Sequence, residues 1–165
     1  MRRITVSLGN IDEAIRQLEE YEKRVQQNVE SFLKRLLDEG VEIAKAKIVS
    51  LPAVESGELL GSIKPVQIDG NKGFIVADNA HAVFVEFGTG VTNNGSHPKR
   101  GDLGLKDLGT YGEGKGADPN GWWYYDEKQG RKRWTKGKPS RPFMYETARD
   151  LERIVAEIAM EVFSR

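Results

Sequence analysis

The sequence predicts an α+β fold, in which a small antiparallel sheet packs against a long N-terminal helix and a C-terminal helix. Apolar residues recur at helical spacing over about residues 11–50 and again over 148–162. Short β-branched runs, bounded by turn residues, lie between these two segments. The 165 residues suit one domain. Within it, residues 88–140 are expected to form an inserted loop and hairpin rich in glycine and tryptophan.

The first fifty residues predict one short strand and one very long helix. Residues 3–8 alternate as a strand does, and Asn10 suits the N-cap of the helix that follows. A helix of about forty residues is about 60 Å long, longer than a compact domain of this size. We therefore expect it to bend or break near Gly40, or to extend from the domain at residues 11–29 and pack on a neighbouring subunit. The alternative is a two-stranded coiled coil, although Glu22 occupies an apolar seam position.

Three short strands are predicted between the helices. A helical turn around Glu58 precedes them, and a glycine-rich turn at residues 69–73 joins the first two into a hairpin. In the third strand, alternation would place Glu86 on the face opposite Val85. The predicted strands are residues 63–68, 73–77 and 82–87.

The insertion differs in composition from the rest of the chain. Twelve of the 18 glycines lie between Gly88 and Gly137, together with all three tryptophans. Residues 93–121 lack periodicity, and we expect them to be mobile in the isolated protein and ordered in an assembly. Residues 122–125 and 131–135 predict an aromatic β-hairpin. A helix is expected to begin at residues 140–142, where proline is tolerated in a first turn.

The composition argues against several kinds of site. With 25 basic and 25 acidic residues, the overall charge does not favour nucleic acid or an anionic membrane as the main partner. The chain has no cysteine, which excludes disulfides and thiolate chemistry. His81 and His97 have no companions at metal-ligand spacing. No apolar run approaches the ~20 residues of a membrane helix, and no secretory signal is expected.

Glu86 is a carboxylate inside an apolar run, so it is the one candidate for a general acid. An enzyme would need it close to His81 in a concave pocket. The favoured interpretation is that Glu86 lies on the solvent face, or pairs with an arginine or lysine of the hairpin or of a neighbouring subunit. We therefore expect no enzyme activity, no cofactor and no metal.

The predicted hairpin combines aromatic and basic side chains. This composition is typical of protein interfaces, in which tryptophan, tyrosine and arginine dominate the binding energy. It also suits stacking on bases beside phosphate contacts, or a hairpin that packs on itself. The cluster consists of Trp122, Trp123, Tyr124, Tyr125, Arg131, Lys132, Arg133 and Trp134.

Four segments together resemble a known family. They are Ser56-Gly-Glu-Leu-Leu-Gly-Ser-Ile, Val83-Phe-Val-Glu-Phe-Gly-Thr, Trp134-Thr-Lys-Gly and Pro139-Ser-Arg-Pro-Phe-Met-Tyr-Glu-Thr-Ala. In this order they resemble the HK97 gp10-like family of tailed-phage proteins, over roughly residue 33 to the C-terminus. The long glycine-rich segment at residues 93–121 departs from the family pattern.

The resemblance implies a structural protein of the virion, made in the cytoplasm of the bacterial host. Its expected role is a ring-forming neck or tail-completion subunit, in a homo-oligomeric and hexameric ring. Its partners would be the head connector or stopper and the tail tube or tail terminator, with DNA contact in the lumen that is not sequence-specific and no membrane contact. The alternative is a single-stranded nucleic-acid or DNA-end binding module that uses the hairpin. The residues expected at interfaces are Glu86, Phe87, Trp122, Trp123, Tyr124, Tyr125, Arg131, Arg133, Trp134, Arg141 and Phe143.

Overall fold

A computed structural model describes residues 11–51, 57–89, 97–99, 120–127 and 129–164. It confirms the α+β class, with a long N-terminal helix, a C-terminal helix and two small antiparallel sheets. The predicted strand at residues 3–8, the Asn10 cap and most of the predicted mobile segment lie outside the described residues. The elements are α1 (Ile11–Ser50), α2 (Gly57–Gly61), β1 (Ile63–Asp69), β2 (Lys72–Ala77), α3 (Ala82–Phe87), β3 (Trp122–Asp126), β4 (Arg131–Thr135) and α4 (Phe143–Phe163).

Helices α1 and α4 pack antiparallel along the C-terminal part of α1. An ion pair joins Arg35 to Glu161 near one end, and Lys47 Nζ lies 2.7 Å from Asp150 Oδ2 near the other. Between them, a Cβ on Gly40 would overlap Ile75 and lie 2.8 Å from Leu151 Cδ1. The glycine thus permits close packing there, and α1 continues past it as one unbroken helix.

The N-terminal part of α1 extends beyond its partner helix. Helix α4 ends at Phe163, whose ring lies 6.0 Å from that of Phe32. Residues 11–31, called the arm below, precede this contact and span about 30 Å at helical rise. Apolar side chains on the arm are exposed, including Leu18 at 67%. This is the second of the two arrangements expected for the helix, in which one end leaves the domain.

The core is small and centres on the second half of α1. Antiparallel strands β1 and β2 lie against this helix, where Gly73 allows Leu37 to approach closely. Helix α4 contributes Phe143, which is almost fully buried. The core cluster consists of Val41, Ala44, Ile48, Leu59, Ile63, Ala82 and Phe143. Strands β3 and β4 form a separate hairpin that pairs within itself.

The prediction of a third strand at residues 82–87 is wrong, because this segment is helix α3. Its buried residues are Ala82 and Glu86, which are four positions apart and therefore share one face of a helix. The alternation of valine and phenylalanine suggested a strand, but six residues are too few to separate a period of 2 from one of 3.6. The sheet consequently has two strands instead of three.

Candidate functional site

Glu86 is buried, with 7% of its surface exposed, and both of its carboxylate oxygens accept hydrogen bonds. Oε2 accepts from the backbone N–H of Met144 at 2.9 Å, and Oε1 accepts from that of Tyr145 at 3.0 Å. Oε1 also lies 3.0 Å from Nε2 of His97. The expectation that Glu86 faces solvent or pairs with an arginine or lysine is therefore wrong.

The backbone contacts of Glu86 lie in the first turn of α4. The residue that precedes this helix is Pro142, whose ring carries no hydrogen-bonding side-chain group, so the N-terminal N–H groups need an acceptor from elsewhere. Glu86 supplies it from α3, and its negative charge suits the positive end of the helix. A residue more than fifty positions away in sequence thus performs the role of an N-cap.

His97 completes the polar contacts of Glu86. Its Nδ1 accepts a hydrogen bond from the backbone N–H of Lys99 at 3.0 Å, so this nitrogen carries no proton. Nε2 then carries the ring hydrogen and donates a hydrogen bond to Oε1 of Glu86. The ring is 4% exposed and lies between those of Phe87 and Tyr145, with centroids at 4.4 and 5.7 Å. His97 therefore fastens residues 97–99 to the scaffold.

Backbone hydrogen bonds reinforce the same connection. Arg141 N donates to Val85 O at 2.9 Å, and Ser140 Oγ donates to Glu86 O at 2.6 Å. Thr89 and Lys138 form an antiparallel bridge with two N–H···O bonds of 2.8 and 3.1 Å. We call residues 85–89 and 138–145 together the α3–α4 junction. It closes the insertion at its two ends.

The junction accounts for four of the residues predicted at interfaces. Glu86 and Phe143 are buried inside the subunit, so neither side chain presents a surface to another molecule. Phe87 and Arg141 are half-buried, with the Phe87 ring against His97. His81 directly precedes α3 and is exposed, and its backbone N–H donates to Asn79 Oδ1. Glu86 pairs with His97, not with the His81 that an enzyme centred on these two residues would need.

The hairpin holds the other seven predicted interface residues. In its register Trp123 pairs with Trp134 and Tyr125 pairs with Lys132, so these four side chains share one face. The two indole rings meet edge to face, with centroids 5.6 Å apart. Trp123 is 63% exposed and Trp134 is 37% exposed. These four residues are called the aromatic face below.

The opposite face of the hairpin carries its arginines. Trp122, Tyr124 and Asp126 alternate with the aromatic face along β3, and Tyr124 pairs with Arg133. Arg133 Nη1 also lies 3.2 Å from Asp126 Oδ2. The register therefore separates the rings of Trp123, Tyr125 and Trp134 from both arginines, which the sequence had suggested as one cluster.

The sequence did not reveal the contacts of Glu86, but it did show the apolar stripe of the arm. Contacts between Glu86 and residues 97 and 144–145 depend on tertiary structure. The exposed stripe of the arm was visible in its spacing.

Within the described residues, no three acidic or histidine side chains are grouped to hold a metal ion. No helix in the described part of the chain is long and apolar enough to cross a membrane. Comparison with protein families, with curated proteins and with solved structures finds no match.

Proposed function

We propose that this protein is a structural subunit of a tailed phage or prophage. In this proposal it forms a ring in the neck or tail-completion region and joins the tail tube to the head connector. The observation that carries the proposal is the arrangement of the segments that resemble the HK97 gp10-like family. Leu59 and Phe143 come from two of these segments and belong to one core cluster on α1, and Val85 from a third segment packs against that cluster. Three of the four segments that carry the resemblance thus contribute to the core or pack against it.

The surface features favour an assembly role over catalysis. The buried pair of Glu86 and His97 is occupied in capping α4 and in holding residues 97–99. The arm and the aromatic face, in contrast, expose large apolar side chains. Exposed apolar patches of this kind on a soluble protein mark contacts with other molecules. A ring subunit would use such surfaces for its neighbours, and they support the proposal that the protein is part of the virion.

Deletion of the gene from the phage or prophage tests the proposal. We expect lysates to contain filled heads and separate tails by electron microscopy, with joining restored by a plasmid copy of the gene. Mass spectrometry of purified wild-type particles should find the protein at a low copy number that fits one ring. Normal, infectious particles from the deletion strain would contradict the proposed role.

The aromatic face favours single-stranded nucleic acid as a second candidate partner. The exposed rings of Trp123 and Tyr125 could stack on bases, and Lys132 on the same face could contact phosphate. The two hairpin arginines lie on the other face, which weakens this alternative. Binding of a fluorescent oligothymidylate at several salt concentrations tests it. A steep salt dependence that is reduced by Lys132→Gln would support the nucleic-acid function.

A further inference from the structure

The arm carries an apolar stripe that a single acidic residue interrupts. Ile11, Ile15 and Leu18 recur at alternating spacings of four and three, and Val25 continues the same register. All four are exposed along the arm. The position between Leu18 and Val25 in this register is Glu22, which is exposed and has no ion pair among the described residues. The stripe is therefore aliphatic with a single negative charge near its middle.

The aromatic face of the hairpin has the complementary composition. It presents three rings and one cation, Lys132, which is exposed and has no ion pair in the described parts of the chain. The charges of the surrounding segments are also opposite. The arm has six acidic and three basic residues, for a net charge of −3. Residues 122–138 have six basic and two acidic residues, for a net charge of +4.

The two surfaces of one chain lie too far apart to meet. The hairpin joins the scaffold at Lys138, next to the first turn of α4 and the Ile48 end of α1. Glu22 lies 26 residues before Ile48, which is about 39 Å along the helix. A five-residue strand spans only about 17 Å, and residues 136–138 add about 10 Å. Contact between these surfaces therefore requires two copies of the chain.

We propose that the aromatic face of one copy docks on the arm of the next copy, with Lys132 paired to Glu22 of the neighbour. The inference rests on the proposed ring function and adds the surfaces that would join its subunits. The two surfaces differ, so the contact is head-to-tail, and repeated contacts of this type close into a ring when the rotation permits. The aromatic face offers four side chains to each contact, far fewer than the roughly 20–30 residues a side of a typical stable pair. Closure of the ring then adds stability, because every subunit is held twice.

Charge reversal tests the pairing by sedimentation velocity over a concentration series. Glu22→Lys and Lys132→Glu should each weaken self-association by about tenfold or more, because each brings like charges together. The double variant should restore it. Glu20→Lys on the far side of the arm and Arg131→Glu on the other hairpin face are matched controls, expected to leave association unchanged. All four positions are exposed, so unchanged thermal melting should confirm that the variants fold.

Cross-linking gives a second readout that does not depend on affinity. The chain has no cysteine, so Glu22→Cys and Lys132→Cys chains can each carry a single thiol. A short bismaleimide should join a mixture of these two chains into heterodimers. A mixture that contains Glu20→Cys in place of Glu22→Cys should give few such products.

Several outcomes would overturn the interface. They are a chain that stays monomeric at every concentration, single reversals without effect, a double variant no better than either single one, and cross-links only within one chain. Oligothymidylate binding that is lost in Lys132→Glu while association is unchanged would assign the hairpin to nucleic acid instead. The outcome of the gene-deletion experiment does not depend on these results. Self-association that persists in all the charge-reversal variants would contradict the proposed interface alone. Normal particles from the strain that lacks the gene would contradict the ring function alone.

Discussion

Removal of the Glu86 carboxylate should destabilise the scaffold more than any substitution of an exposed acid. Glu86→Ala leaves three donors without their acceptor, namely the N–H groups of Met144 and Tyr145 and the Nε2–H of His97. Each buried donor left unsatisfied costs about 1–3 kcal/mol, and water that enters the vacated space relieves part of this. We expect a loss of about 3 kcal/mol of unfolding free energy, the lower end of the roughly 3–9 kcal/mol that three such donors give together. For a chain of this size, that loss lowers the Tm by about 6–12 °C.

Glu86→Gln separates the charge from the shape of the side chain. One amide oxygen can still accept from a single backbone N–H, while the amide nitrogen faces another donor. We therefore expect about half of the effect of the alanine variant, about 1.5 kcal/mol. Calorimetry and urea unfolding measure the loss, and hydrogen exchange at Met144 and Tyr145 should accelerate in both variants. Glu157→Gln, an exposed change on α4, the helix that Glu86 caps, is the control. If Glu86→Ala were as stable as this control, the capping role would be refuted.

Three further predictions concern packing, acid stability and the arm. Gly40→Ala should cost about 1–3 kcal/mol by overpacking, whereas Gly61→Ala, with open space around its Cβ, should cost nothing in urea unfolding. A hydrogen bond from Lys47 holds the pKa of Asp150 below its ordinary value of 3.8, so its stabilisation is present above that pH and is lost as the pH falls through the folded pKa. Asp150→Asn should flatten the acid side of a Tm-against-pH curve. Leu18→Glu should leave the Tm unchanged, because the side chain is exposed, but should abolish self-association.

The two long helices were predicted correctly because their apolar pattern repeats many times. Helix α1 extends over forty residues and α4 over 21, so the helical period is sampled through several turns. The β1–β2 hairpin was predicted from its turn, and β3–β4 from two aromatic or basic runs with a glycine between them. Helix α3 has only six residues, and its valines favoured a strand on propensity alone. Tertiary packing, and not local propensity, determines that this segment is a helix.

The site was harder to predict because its hydrogen bonds join distant positions. Glu86 was correctly singled out as an unusual acid in an apolar run, but its acceptor role requires α4, which begins 57 residues later. One signal was available in the sequence. Pro142 directly precedes an apolar helical pattern and cannot cap it with its side chain. A helix that starts in this way needs an outside acceptor, and a carboxylate within a buried segment is the natural candidate.

The α3–α4 junction also predicts that the scaffold folds without most of the insertion. Thr89 and Lys138 are antiparallel neighbours, so a four-residue glycine–serine turn can replace residues 90–137. Shortening the loop about twelvefold lowers the entropic free-energy cost of closing it by about 2 kcal/mol, because that cost depends on the logarithm of loop length. This gain offsets the loss of the His97 hydrogen bond to Glu86, so the Tm should stay close to that of the full chain.

The shortened chain should nevertheless lose self-association, because it lacks the aromatic face while its arm is intact. Calorimetry and sedimentation velocity on the same sample measure both properties. A shortened chain that unfolds far below the full chain would show that the insertion is part of the fold, and would contradict the junction as the point of closure. A shortened chain that folds and still associates would instead place the subunit contact on surfaces other than the hairpin. In the proposed ring, folding and assembly would thus depend on different parts of the chain. The cap at Glu86 supports the first, and the hairpin and the arm support the second.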